Sequence, residues 1–146
     1  MGYSIKITPG AYILLAVLIL TLPMPWIAAA IFAGVFHEIC HIIVIILLRG
    51  QVYGLQIGAG GAKIMTSPLS DVAEFFCALA GPLGSLMLTA AASLLPRVAL
   101  CGLIQGLFNL LPLYPMDGGR IFWCIVGWIR TAIGKIPCKD GQHRVQ

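Results

Sequence analysis

Apolar positions fall into four long blocks separated by short proline-rich or polar breaks. Residues 8 to 22 form a first, short block. It ends at Pro23-Met24-Pro25, where missing backbone donors and pre-proline geometry favour an extended turn, and Trp26 follows as a residue suited to a membrane interface. Ile27 to Leu48 is 22 residues, about 33 Å of helix at 1.5 Å per residue, which matches a hydrocarbon core of roughly 30 Å. Arg49-Gly50 stops it. Val52 to Ile57 then alternates, Gly58, Gly60 and Gly61 punctuate, and Ala62 to Met65 reads as a return strand, so a short β-hairpin or re-entrant loop is expected. Ser67-Pro68 and Ser70 mark the start of a third run, Val72 to Leu95, stopped by Pro96-Arg97. The last block, Val98 to Ile133, would make about 54 Å of straight helix, too long for one crossing. Pro112, Pro115, Asp117, Gly118 and Gly119 interrupt it. Unwound backbone at membrane depth is tolerated only where protein or a polar cavity satisfies it, so the break marks a site.

The pattern predicts an all-α polytopic membrane protein of about four to five transmembrane helices, with the hairpin or re-entrant loop between the second and third. Residues 1–134 would be the membrane-embedded domain and 135–146 a short basic tail. Composition agrees: 60% of the chain is apolar, 10% is charged and the mean hydropathy is +0.98, against about 25% charged in an ordinary soluble domain. Nine basic residues are scattered from Lys6 to Arg144 without forming a stripe, which excludes a nucleic-acid binder. The first block is read as a retained span, because no small-x-small cleavage site and polar mature chain follow it. Five cysteines without a C-x-x-C pair, four of them inside apolar runs, are small apolar side chains and not a disulfide framework. Placing Lys6, Arg49 and Lys63 on the cytoplasmic side satisfies the positive-inside rule; the basic tail joins them only if residues 98–133 make one net crossing.

The chemistry lies in the second block. His37-Glu38-Ile39-Cys40-His41 is an H-E-x-x-H pattern. Residues four apart share a helix face, so both imidazoles can reach one metal ion, and Glu38 beside the first can hold a water and take its proton. This is the geometry of a zinc hydrolase. The pattern also arises by chance, but here it sits near the middle of a span, where an ionisable Glu costs roughly 2.5 to 3.5 kcal/mol. That one turn holds two of the three histidines and one of the two glutamates in the chain.

Catalytic zinc takes three protein ligands and keeps one place open. Asp71 and Glu74 open a helix at the interface and Asp140 is in the tail, which leaves Asp117 as the third ligand by elimination. Pro112 and Pro115 open the chain ahead of it, and Gly118-Gly119 permit close backbone approach behind it. The competing reading is a surface Asp capping a helix that begins near Gly119.

His37-Glu38-x-x-His41, taken with Asn109-Leu-Leu-Pro112-Leu-Tyr-Pro115-Met-Asp117-Gly118-Gly119, resembles the site-2 protease family of intramembrane zinc metalloproteases and its N-x-x-P-x-x-P-x-D-G-G signature. The glycine-containing hairpin and Ala80-Gly81-Pro82 also look family-like, so the resemblance covers residues 10 to 134. The compact spacing is most similar to the bacterial sporulation-type branch, which cleaves membrane-tethered transcription-factor precursors. The resemblance implies His37, His41 and Asp117 as ligands of one Zn2+ per chain and Glu38 as general base. It also implies Asn109 as a hydrogen-bond donor to the substrate or the oxyanion, although an Asn bonding a neighbouring helix fits the same position. Many relatives carry Asn where this chain has Ser85, so a weaker or water-mediated contact is expected there.

The implied setting is a multi-pass protein of a bacterial cytoplasmic membrane, with a membrane-protein substrate, the lipid bilayer and no nucleic acid as partners. A homo-oligomer or a regulatory membrane partner would complete the lipid-facing wall. No PDZ domain fits between residues 49 and 71, and regulation by nucleotide-sensing modules after residue 134 is not expected. Arg120 suits a lipid phosphate, a substrate carbonyl or a helix-start surface charge; Tyr114 lines a substrate path or fills space; Cys40 points away from the ligand face. The competing class is a proteolytically inactive scaffold or a divalent-ion-binding or transport module. Transport would need a continuous polar path, and apart from Asn109 and Gln105 the spans offer little for one.

Overall fold

The computed structural model describes residues 4–58 and 61–134. In chain order the elements are strand β1 (Ser4–Ile7), helices α1 (Pro9–Thr21) and α2 (Met24–Leu47), strands β2 (Val52–Gly58) and β3 (Gly61–Thr66), and helices α3 (Asp71–Met87), α4 (Pro96–Asn109) and α5 (Asp117–Ala132). A 3-10 turn, Leu88–Ala91, extends α3. The basic tail, with Lys135, Lys139 and Arg144, lies outside the described residues.

The helical body is as expected, but it carries a three-stranded sheet in the order β1-β2-β3, not a hairpin alone. β2 and β3 pair antiparallel, while β1 runs parallel to β2 with Ser4 opposite Gly54 and Ile7 opposite Ile57. A parallel pair needs a crossover, and here the antiparallel helices α1 and α2 supply it. The start of α1 and the end of α2 therefore lie at the same end of the bundle as the sheet. Lys6, Gln56 and Lys63 fall opposite one another across the three strands.

Two helical stretches are long and apolar enough to cross a bilayer, Met24–Leu47 and Asp71–Ala91. α1, α4 and α5 have 13, 14 and 16 residues, short of the roughly 20 that a straight crossing needs. No residue of α1 is buried, and large apolar side chains such as Ile13, Ile31, Phe32, Leu107 and Trp123 face outward. That surface suits lipid and not water.

The Pro-Met-Pro segment is not wholly a turn. α2 begins at Met24 with Pro25 in its first turn, where a missing N–H is no loss. α3 also ends earlier than the apolar run. Thr89 Oγ1 donates to the Leu86 carbonyl at 2.6 Å, and Leu95, held before Pro96, leaves helical geometry. Ser70 caps α3 as expected, its Oγ accepting from the Ala73 N–H at 3.3 Å.

The interior is built from small residues. Ala29 and Ala33 of α2, Ala78, Gly81 and Gly84 of α3, and Ala99, Gly102 and Gly106 of α4 are buried, which lets the backbones approach closely, as helices packing in a membrane must. α3 runs antiparallel to α2, with Cys77 beside His41 and Ser85 beside His37. α4 returns alongside α2, bringing Asn109 to His37.

Candidate metal centre

Three elements meet at the middle of α2. His37 and His41, on one face and 2% and 4% exposed, turn inward, and Asp117, the first residue of α5, closes the site at 8%. Their inner atoms form a triangle of equal edges: His37 Nε2 to His41 Nε2, His37 Nε2 to Asp117 Oδ2, and His41 Nε2 to Asp117 Oδ2 are each 3.1 Å. Asp117 is thus buried at a helix start and is not a surface cap. α5 begins at Asp117 itself, two residues earlier than Gly119.

The outer atoms of both rings are fastened. His41 Nδ1 lies 2.7 Å from the Cys77 carbonyl; a carbonyl only accepts, so this nitrogen carries a proton, and in the neutral ring Nε2 keeps its lone pair. Pro82 lacks the N–H that would bond the Ala78 carbonyl, loosening α3 one residue from Cys77. His37 Nδ1 lies 2.8 Å from Ser85 Oγ, and Asn109 Nδ2 lies 3.3 Å from His37 Nε2. With Nδ1 donating to the Ser85 hydroxyl, Nε2 of a neutral ring keeps its lone pair for the interior of the site. Ser85 is fully buried, so its contact is direct and not mediated by water.

When both rings are neutral and protonated on Nδ1, two imidazole lone pairs and a carboxylate oxygen converge. Atoms of this kind 3.1 Å apart are held together by a shared proton or by a cation between them. Donor atoms around a tetrahedral ion bound at about 2.0–2.1 Å stand about 3.3 Å apart, so the triangle fits a zinc-sized ion closely. The N,N,O donor set is of the catalytic kind, with three protein ligands. Among the described residues, His37, His41 and Asp117 are the group able to hold a metal.

Close packing sets these positions. A Cβ on Gly81 would lie 2.7 Å from His37 Cε1 and closer still to His41 Nε2, so α3 can press against both rings only through a residue without a side chain. Gly118 and Gly119 are buried against the Leu110 and Leu113 carbonyls in the same way, which tucks the start of α5 under the 110–116 segment. Cys40 faces Gly84 and not the triangle, as expected. Glu38 is half-buried next to His37, and the backbone of Ala62 on β3 lies against its carboxylate.

Arg120, expected to meet a lipid phosphate, a substrate carbonyl or the surface, pairs with two carboxylates at the site. Its Nε and Nη2 reach Glu74 Oε1 at 2.8 and 2.7 Å, and its Nη1 reaches Asp117 Oδ1 at 3.3 Å. Sequence reasoning missed Arg120 and Glu74 as partners; the i, i+3 spacing of Asp117 and Arg120 was the available signal. A groove of about 380 Å³ between Pro25, Phe32 and Leu94–Val98, at the opposite end from the sheet, shares no residue with this cluster.

A family model described as Peptidase M50B-like matches residues 10–115. The chain belongs to the M50B-like peptidase family. The match contains His37, Glu38, His41 and Asn109 and ends two residues before Asp117, whose place beside the histidines rests on the geometry above. The solved structure of a site-2 protease from Methanocaldococcus jannaschii superposes with a TM-score of 0.74 over 88% of this chain and 69% of that one, at 24% identity. No curated protein matches the chain. The structural likeness shows that the chain shares the fold of that site-2 protease.

Proposed function

We propose that this chain is a zinc-dependent intramembrane endopeptidase, hydrolysing a peptide bond within or beside a transmembrane segment of a membrane-tethered protein. The observation that carries this reading is the 3.1 Å triangle of His37 Nε2, His41 Nε2 and Asp117 Oδ2, next to Glu38 and inside a helix of membrane length. His37, His41 and Asp117 would hold one Zn2+ per chain. When bound there, zinc supplies a Lewis acid and brings the pKa of water toward neutrality.

The remaining chemistry belongs to the chain's own residues. Glu38, one residue from His37 on the same helical turn, takes a proton from the attacking water and returns it to the leaving amine. Asn109 offers an amide N–H to the oxygen of the scissile carbonyl as negative charge develops on it. Ser85 and the Cys77 carbonyl keep both rings turned the right way throughout. An intact substrate helix shields its carbonyls, so the substrate must arrive extended. β3 is an edge of the sheet and passes against Glu38 at Ala62, which supports its pairing with the unwound substrate as an added strand.

In this reading α1, α4 and α5 are embedded with α2 and α3, giving about four to five transmembrane segments, and a second copy or a regulatory membrane protein covers the outward apolar faces. The compact spacing supports the bacterial sporulation-type branch, a cytoplasmic-membrane location and a transcription-factor precursor as substrate. Glu38→Gln tests the core of the proposal. Co-expressed with a single-span substrate, the variant should cut nothing while retaining one equivalent of zinc; continued cleavage would overturn the role of Glu38, and a metal-free wild-type protein would overturn the enzyme.

A further inference from the structure

The two oxygens of Asp117 face different ways. Oδ2 points into the triangle, 3.1 Å from both imidazole nitrogens, while Oδ1 points out to Arg120 at 3.3 Å. The guanidinium is itself tethered. Nε and Nη2 both reach Glu74 Oε1 on α3, at 2.8 and 2.7 Å, which turns its plane so that Nη1 alone is presented to Asp117. Glu74 and Arg120 have side chains 36% and 35% exposed, whereas the Asp117 side chain is 11% exposed. The chain of contacts thus runs from the exposed edge of the bundle to the buried site.

A carboxylate has two equivalent oxygens, and a divalent cation readily takes both. If Asp117 did so, its second oxygen would fall where the hydrolytic water must bind. We propose that Arg120, anchored by Glu74, is a positioning residue that keeps Asp117 monodentate and so reserves the open coordination place for water. This rests on the metallopeptidase reading above. The fork geometry is what the task requires, since a guanidinium can bond Glu74 with one side and Asp117 with another, and an ammonium cannot hold that fixed orientation. A mere strut between α3 and α5 would use the same ion pair, but it would leave the coordination number untouched.

The test reads that number directly. The full-length chain, in lipid nanodiscs, is loaded with Co2+ and examined by visible absorption and X-ray absorption, together with kcat and KM on a single-span substrate. Arg120→Gln should still bind one equivalent, with weaker d–d absorption and one added oxygen neighbour, while kcat falls about 10–100-fold at little changed KM. Glu74→Gln should shift the spectrum in the same direction by less, because Arg120 keeps its charge but loses its anchor. If Arg120→Gln does not fold, Glu74→Gln and Arg120→Lys decide by the same spectrum. Variants that fold and show the wild-type coordination number overturn the proposal, whatever their activity. A wild-type protein that takes up neither cobalt nor zinc instead refutes the metallopeptidase reading itself.

Discussion

Replacing Gly81 with Ala adds one methyl group, and the structure says where it goes. The new Cβ would stand 2.7 Å from His37 Cε1 and nearer still to His41 Nε2, whereas ordinary contact begins near 3.4 Å. Both rings or the whole of α3 must therefore retreat by about 0.7 Å or more. A displacement approaching 1 Å at a reacting centre costs on the order of 100-fold in rate, and overpacking a close-packed interior costs about 1–3 kcal/mol of stability. Against this, Ala is better than Gly in a helix by about 1 kcal/mol, so α3 itself should survive. The expected phenotype is a folded protein with normal helical circular dichroism that has lost about 100-fold in metal affinity and in cleavage. Gly84→Ala is the matched control. Its methyl would strike Cys40, on the same two helices but off the ligand atoms, and it should lower stability while leaving zinc affinity within a few-fold of wild type. Zinc competition titrations and cleavage of a single-span substrate would read both variants. Wild-type zinc binding in Gly81→Ala, or an equal loss in Gly84→Ala, would refute the reasoning.

Other expectations follow from the same contacts. Ser85→Ala leaves His37 Nδ1 buried without its partner, which should cost about 1–3 kcal/mol in thermal or denaturant unfolding and about 10–100-fold in zinc affinity; unchanged zinc affinity would mean that the 2.8 Å contact does not orient the ring. Asn109→Ala should lower kcat by about 100-fold or more with zinc stoichiometry intact, and loss of the metal in step with activity would assign Asn109 to the ligand shell instead. Chelation should abolish cleavage. Restoring zinc to 100 times its Kd should raise wild-type stability by about 2.7 kcal/mol, a gain absent from His41→Ala; equal gains in both proteins would place the ion elsewhere.

The helices and the His37-His41 turn were legible because each is local. A 22-residue apolar run and an i, i+4 pair of histidines carry their meaning within a few turns of chain. Asp117 was reachable by elimination, since the apolar blocks hold few acids. What escaped the sequence is tertiary. β1 is four residues of alternating Ser-Ile-Lys-Ile, too short to stand out, and it is a strand only because α1 and α2 return β2 to its side. The Cys77 carbonyl has no side-chain identity to notice. Ser85 looked like a weakened position, yet a buried hydroxyl at 2.8 Å from His37 does the orienting without water. Arg120 was left between a lipid phosphate, a substrate carbonyl and a surface charge because nothing in its neighbourhood along the chain announces Glu74, 46 positions away on α3.

The histidines and Asp117 are 76 and 80 residues apart along the chain, and this spacing orders events during synthesis. The His37-His41 turn is synthesised well before α5, and two imidazoles alone make a poor cage for a divalent ion. Only when α5 packs beside α2 does the third donor arrive. The three donors therefore come together only in a chain made and folded through Asp117, so the cluster itself reports that α5 has docked.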